Sequence, residues 1–183
     1  MHEKRFNLEV DRLRDPDRIS RLEVERVVNL SLQNLDNVQA VLDIGTGSGL
    51  FAEQFAAKGL QVTGLDSRAE MLPVAQKYVP SGVFREGVAE KLPFKDDSFD
   101  LVFMGLLLHE TDNTLETLKE AYRVVRKRLA VLEWQYDEQS FGPPLEHRLS
   151  PDKIKVLAKQ AGFKEVESVK MNSLVFYWMN IPD

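Results

Sequence analysis

Val41-Leu42-Asp43-Ile44-Gly45-Thr46-Gly47-Ser48-Gly49 is an apolar run that contains an acid and opens at once into three glycines at alternate positions. The residues on either side give it meaning. Val38 to Ile44 is compact and apolar, as a buried strand is, and Leu50 to Lys58 is amphipathic, with Phe51 and Phe55 one helical turn apart. The sequence reads strand, tight turn, helix. Glycine suits such a turn because the backbone bends sharply and comes within contact distance of a ligand, where a Cβ would clash.

Working outward, the same alternation recurs. Gln61 to Asp66 reads as a second strand, Arg68 to Tyr78 as a helix with Pro73 near its first turn, and Val83 to Arg85 as a short third strand. Phe99 to Met104 is apolar enough for a strand buried on both faces. Thr114 to Arg126 follows as an amphipathic helix, Arg128 to Trp134 as a fifth strand, and Gln135 to Ser150, with Gly142-Pro143-Pro144, as an irregular crossover. Ser150 caps a helix that Gly162 closes, and Lys164 to Val169 with Ser173 to Met179 form an antiparallel hairpin at one edge. This order predicts a doubly wound, Rossmann-like α/β domain with a mostly parallel sheet and helices on both faces. It occupies 38–183. Residues 1–37 precede it as a helical segment or lid, with an apolar stripe through Ile19, Leu22, Val24, Val27, Val28, Leu30 and Leu32.

Composition narrows the function. The 183 residues carry 43% hydrophobic and 29% charged positions, enough for one substantial core. A net charge of −5 disfavours a nucleic-acid partner, and the absence of cysteine removes disulfides, thiolate metal sites and cysteine nucleophiles. No apolar run approaches the ~20 residues of a membrane span, and the first residues lack the apolar stretch of a leader. A soluble, cytoplasmic protein is expected. The three histidines are scattered, so no metal site is expected. Ser48 lacks the glycine two places before it that a hydrolase nucleophile needs, and no phosphate-binding loop of the G-x-x-x-x-G-K type occurs.

About twenty residues after the glycine turn, Asp66 closes the second strand, where an ionised acid accepts from both hydroxyls of a ribose. The two features together point to an adenosine-bearing ligand across the strand ends. A dinucleotide fingerprint requires a third glycine where Leu50 stands. The spacing is instead G-x-G-x-G after Asp43, and it resembles the first motif of the class I S-adenosylmethionine-dependent methyltransferases. An acid at Asp43 suits a ligand whose methionine end carries an ammonium. Gly64 to Leu72, Gly87 to Phe94 with Asp96 to Asp100, and Gly105-Leu106-Leu107-Leu108-His109-Glu110 are similar to later segments of the small-molecule, type 11 branch. The likeness covers about residues 38 to 180 and implies a seven-stranded sheet with one antiparallel strand at the hairpin edge. It also implies S-adenosylmethionine as cofactor, held at Asp43, Gly45, Thr46, Gly47, Gly49, Asp66, Ser67, Met71, Val88, Ala89, Glu90, Met104 and Gly105.

Two positions depart from the family pattern. Val88 stands where an aspartate usually accepts from the adenine amino group, and Arg126-Lys127-Arg128 replaces a Pro-Gly-Gly turn. Valine packs on a base without accepting a hydrogen bond, which keeps a non-catalytic binding module or sensor open beside the enzyme. In-line methyl transfer needs alignment above all. Where a base is used, His109 is the candidate, because it follows the fourth strand and titrates near neutrality; its other reading is a histidine that packs a turn. Glu133, Trp134 and Tyr136 end the fifth strand towards the same crevice, and Phe6, Leu8, Phe141 and Leu145 are candidates for an apolar mouth. The acceptor is a small molecule in this reading, and the edge hairpin leaves a homodimer open.

Overall fold

The computed structural model describes residues 10–182. Seven strands, β1 (Ala40–Ile44), β2 (Gln61–Asp66), β3 (Val83–Glu86), β4 (Phe99–Gly105), β5 (Val125–Trp134), β6 (Glu167–Lys170) and β7 (Leu174–Asn180), form one sheet in the order β3-β2-β1-β4-β5-β7-β6. The first five strands run parallel. The chain winds one way from β1 to β3 and the other way from β4 onward, so β1 and β4 flank the switch point at which open α/β sheets leave a crevice. Register then sets the site. Ile44 lies opposite both Leu65 and Met104, which brings the glycine turn, Asp66 and the segment after β4 to one edge.

Side-chain alternation along β1 and β4 divides the interior into two cores. Leu42, Val102 and Met104 face one side, with Leu118, Ala121, Ile154 and Ala158 of α6 (Thr114–Val124) and α7 (Pro151–Ala161). Val41, Leu101 and Phe103 face the other, with α3 (Val24–Leu32) and α4 (Leu50–Ala57). Phe51 and Phe55, the pair one turn apart, meet on the buried Phe103, with ring centroids 4.7 and 5.4 Å away. Such a contact anchors α4, and with it the glycine turn, to the sheet.

Several boundaries differ from the sequence reading. The opening helix is broken: α1 (Val10–Leu13), α2 (Pro16–Leu22) and α3 follow one another, with Glu23 in the left-handed region at φ 47° between the last two. Glu23 accepts from Arg26 three places on and from the distant Asn172 N, and the latter, a tertiary bond, fixes the bend. The helix before β3 starts as a 3-10 turn, Ala69–Met71, and continues as α5 (Leu72–Tyr78). Strand β5 begins at Val125, three residues before its expected start, so the basic run lies within the sheet. Its charges find partners there: Arg126 bonds Asp100, Lys127 the carbonyls of Asp36 and Asn37, and Arg128 Asn180 and the carbonyls at the end of α3.

The hairpin is present, and the one reversed strand is β7, which pairs antiparallel with both β5 and β6. It lies one place in from the edge. The reason is composition: apolar β7 is covered on both sides, whereas polar Glu167-Ser168-Val169-Lys170 takes the edge, where charge blunts further strand pairing. Among the described residues, no helix is long and apolar enough to cross a membrane.

Candidate functional site

A cavity of about 560 Å³ runs along the carboxyl ends of the parallel strands, under α1, α2 and the crossover. Its first wall is backbone. Gly45 N and Thr46 N donate to Leu65 O at 2.7 and 3.1 Å, and Gly47 N donates to Asp66 Oδ2 at 2.7 Å. Gly47 sits at φ +51°, and a Cβ there would meet only Leu13 across the cavity, at 3.7 Å. Glycine at this position leaves the space to a ligand. Asp66 lines the cavity, with its other oxygen accepting from Arg68 N at 2.9 Å, so each oxygen keeps a lone pair for a further donor. Burial pushes its pKa up against the pull of those two N–H groups.

Asp43 lies beneath this wall. It is buried, and Thr46 Oγ1 donates to its Oδ2 at 2.7 Å. Burial raises its pKa to about 7 against the Thr46 bond, and the nearby Asp66 charge adds to the rise. A cation in the cavity would relieve both acids. Along the next wall stand Met71, Val88, Ala89 and Glu90. Val88 is 43% exposed and offers an apolar surface. The Glu90 carboxylate is already engaged, accepting from the backbone of Asp112 and Asn113.

The other end is made of side chains. After β4, Leu106 adopts the left-handed region at φ 57°, a costly conformation for leucine, and the chain enters a 3-10 turn, Leu108–Glu110. His109 is thereby buried against Glu133 at the end of β5. Its Nδ1 lies 2.9 and 3.1 Å from the two Glu133 oxygens, and its backbone N donates to the same carboxylate. Trp134 N donates to it as well. A carboxylate held by three donors fixes the Nδ1–H tautomer and leaves Nε2 as the acceptor. Burial pulls the His109 pKa down, yet the charge and hydrogen bond of Glu133, with help from Glu110, outweigh it and leave the value raised.

Above these groups, α2 contributes Arg18 and Arg21 to the cavity wall, and the crossover contributes Phe141, Gly142 and Pro143. Arg148 shapes that crossover: buried, it donates to the carbonyls of Gln135, Asp137, Phe141 and Pro143 and to Gln139 Oε1. Arg14 ties the N-terminal helices to the glycine turn. It donates to Glu53 at 2.7 Å and to Ser48 O at 2.9 Å, and its guanidinium stacks 3.2 Å from the Tyr78 ring centroid.

Gly45, Gly47, Asp66, Ser67, Met71, Val88, Ala89, Glu90, Gly105 and His109 all line the cavity. Asp43, Thr46, Gly49 and Met104 lie behind its wall, for identifiable reasons. The Thr46 bond turns both partners inward, Gly49 packs on Ala75 as the cap of α4, and strand alternation sends Met104 into the core. Phe141 and Trp134 line the cavity, and Tyr136 is half exposed outside it. His2, Phe6 and Leu8 lie outside the described residues. The sequence reading did not single out Arg14, Arg18, Arg21 or Arg148. An i, i+3 arginine pair on a helix face was the available signal for two of them, and it is indistinguishable from a solvated face until the helix is docked.

The switch-point cavity, the glycine turn and the acid at the end of β2 define an α/β protein of the nucleoside-binding, Rossmann-like class. A family model described as a methyltransferase domain matches residues 42–130. A demethylmenaquinone methyltransferase of Thermotoga maritima is 38% identical over 113 residues, 60% of this chain and 48% of that one. A malonyl-[acyl-carrier protein] O-methyltransferase of Erwinia billingiae is 42% identical over 86 residues, 47% of this chain and 34% of that one. The matches thus span half or less of these relatives' length. An S-adenosylmethionine-dependent methyltransferase from Aquifex aeolicus shares the fold, with a TM-score of 0.82, 24% identity, and 96% of this chain and all of that one covered. Over residues 42–130 the chain is thus similar to methyltransferase domains, in keeping with the resemblance of its glycine turn and Asp66 to the class I S-adenosylmethionine-dependent methyltransferases.

Proposed function

We propose that the chain transfers the methyl group of S-adenosylmethionine to a small-molecule acceptor. The observation that carries this reading is the buried His109–Glu133 pair on the same cavity as Asp66. When bound, S-adenosylmethionine supplies a methyl group on a sulfonium whose sulfur keeps the bonding electron pair. The residues fit such a group: Asp66 has lone pairs for a ribose diol, Gly47 offers no Cβ to obstruct it, and Met71 and Val88 are apolar enough to flank a base. Asp43 and Asp66 favour its positive methionine end electrostatically. Glu133 holds the His109 ring so that Nε2 takes the proton leaving the acceptor atom that receives the methyl. Within the N-terminal segment 1–37, the described helices α1 and α2 act as a lid, latched by Arg14.

A small-molecule acceptor accords with the net charge of −5 and with the methyl-transfer names of the relatives, and a cytoplasmic location with the absence of cysteine. The second reading, a non-catalytic sensor with the same pocket, is favoured by Val88, which cannot accept from an adenine amino group. Calorimetric titration with S-adenosylhomocysteine tests the pocket. Micromolar binding by the native chain, with loss in Asp66→Ala, is the expected result, and no binding by the native chain overturns both readings. Turnover of an acceptor screened with methyl-labelled cofactor decides between them.

A further inference from the structure

Strand order dictates how a nucleoside lies in the cavity. Val88 follows β3, Asp66 closes β2 and His109 follows β4, and the sheet places these strands in the order β3-β2-β1-β4. A methyl group that reaches His109 from a ribose held at Asp66 therefore leaves the base on the other side of that ribose, over the segment after β3. Gly87 N donates to Asp66 O at 3.0 Å, which ties this segment to the ribose site. Gly87, Val88, Ala89 and Glu90 line the cavity there, together with the buried Leu65 and Met71.

Donors and acceptors are unequal on that wall. Val88 to Lys91 is a turn in which Lys91 N donates to Val88 O at 3.2 Å, and the backbone N–H groups of its two middle residues, Ala89 and Glu90, meet no acceptor among the described residues. Ala89 is buried, and buried backbone groups are nearly always paired, so its N–H on a cavity wall calls for an acceptor on a ligand. Side-chain acceptors are scarce by contrast. Val88 is 43% exposed and has none to offer. Glu90 Oε1 accepts from Asp112 N and Asn113 N at 2.9 and 3.3 Å, and Glu70, next to Met71, is paired with Arg68.

We infer that the site binds a purine nucleoside by the flat faces of its base and by one backbone donor, without selecting the group at position 6 of the ring, and that Val88 is the residue responsible. It takes 6-oxopurine nucleosides as well as adenosine. Adenine turns its N1 acceptor to the Ala89 N–H and its amino group to the valine. A 6-oxopurine turns O6 to the same N–H and its N1–H to the valine. Each gains one hydrogen bond and leaves one N–H to solvent beside the exposed Val88, so the two come out nearly equal. A carboxylate at this place would accept from the amino group and repel the oxo group, which is how a site comes to discriminate. The inference rests on the proposed binding of S-adenosylmethionine for the direction in which the nucleoside lies.

The test is calorimetry with S-adenosylhomocysteine and its 6-oxo counterpart, S-inosylhomocysteine. The native chain is expected to bind the two with affinities less than about tenfold apart. Val88→Asp is expected to raise the preference for the adenine form by about tenfold or more over the native ratio, since it supplies a charged acceptor. Val88 is exposed, so the variant folds, which thermal unfolding checks; Val88→Asn, an acceptor without charge, takes its place if the acid destabilises the chain. A native preference of about tenfold or more in either direction overturns the inference, and so does a Val88 variant that keeps the native ratio. Both of these outcomes leave the proposed function standing, because S-adenosylhomocysteine still binds. A native chain that binds neither compound removes the proposed function and the inference together.

Discussion

The two ends of the cavity are built in opposite ways. At the β1–β2 end the ligand-facing surface comes from short stretches, Gly45 and Gly47 of the turn and Asp66 to Arg68, held by backbone hydrogen bonds such as Gly47 N to Asp66. At the other end it comes from side chains far apart in sequence, Arg18 and Arg21 on α2, His109 after β4, and Trp134 and Phe141 at the end of β5 and in the crossover, with Glu133 buried behind His109. A backbone-built surface recognises what every ligand of the class shares, because its geometry tolerates little change. A surface of side chains is free to vary and sets what differs between family members.

Four perturbations sharpen that contrast. The largest effect is expected at the backbone-built end. Asp66→Ala removes an acceptor for two ligand hydroxyls and a brace for the glycine turn, and a loss of about 100-fold or more in S-adenosylhomocysteine affinity by calorimetry is the expected outcome. A variant that still binds as the native chain does would show that the turn alone carries the ligand.

Glu133→Gln acts at the other end and spares the cofactor wall. With Glu133 present the His109 pKa is raised above its ordinary value of 6.5, so neutral, proton-accepting His109 gains population as pH rises through that raised value. The stability this pair contributes is complete below the unfolded pKa and is lost over the same rise. Removing the carboxylate charge lets burial dominate. The titration of the His109 ring, followed by NMR, then moves to lower pH, the alkaline rise in turnover moves with it, and the maximal rate falls by about 100-fold. An unmoved titration would mean that Glu133 merely packs the ring.

Asp43→Asn reads a stability cost that the first wall carries. The folded pKa is raised from 3.8 to about 7, so between these values the folded state binds more protons than the unfolded state and stability falls as pH rises. Asparagine keeps an acceptor for Thr46 and carries no charge. Urea unfolding at pH 5 and pH 8 is expected to show the native chain losing stability relative to Asp43→Asn at the higher pH, by on the order of a few kcal/mol. Parallel behaviour of the two proteins at both pH values would show Asp43 ionised without penalty.

The smallest effect is expected from Arg14→Ala. Its partner Glu53 is partly exposed, so the pair and the Tyr78 stack together contribute about 1 kcal/mol to folding. Thermal unfolding then shifts by a few degrees, whereas S-adenosylhomocysteine dissociation, followed by stopped flow, accelerates. An unchanged dissociation rate would separate the N-terminal helices from ligand retention.

Much of this architecture was legible because its code is local. The strand, glycine turn and helix around Gly45, the acid at Asp66 and the caps at Ser150 and Gly162 each depend on residues within a few places of one another. Two of the misread boundaries have distant causes. Glu23 bends the first helical run because it bonds Asn172, and Arg126 to Arg128 extend β5 because Asp100, Asp36, Asn37 and Asn180 receive their charges. The site followed the same division. Asp66 and Gly47 were readable by position, whereas the His109–Glu133 bond spans 24 residues and exists because β4 and β5 are parallel neighbours with Gly105 level with Leu132.

By itself, then, the amino-acid sequence determined the order of the elements, the edge of the sheet where the glycine turn lies and the turn itself, since hydrophobic period, glycine freedom and capping act over one or two turns of chain. Tertiary structure alone decided that Thr46 turns Asp43 beneath the turn and that Val88 stands exposed on the wall. It also decided that Arg18, Arg21 and Phe141 share one end with His109. Those outcomes depend on how helices dock and how strands register, and side chains carried together over tens of residues leave no periodic trace in the sequence that brings them there.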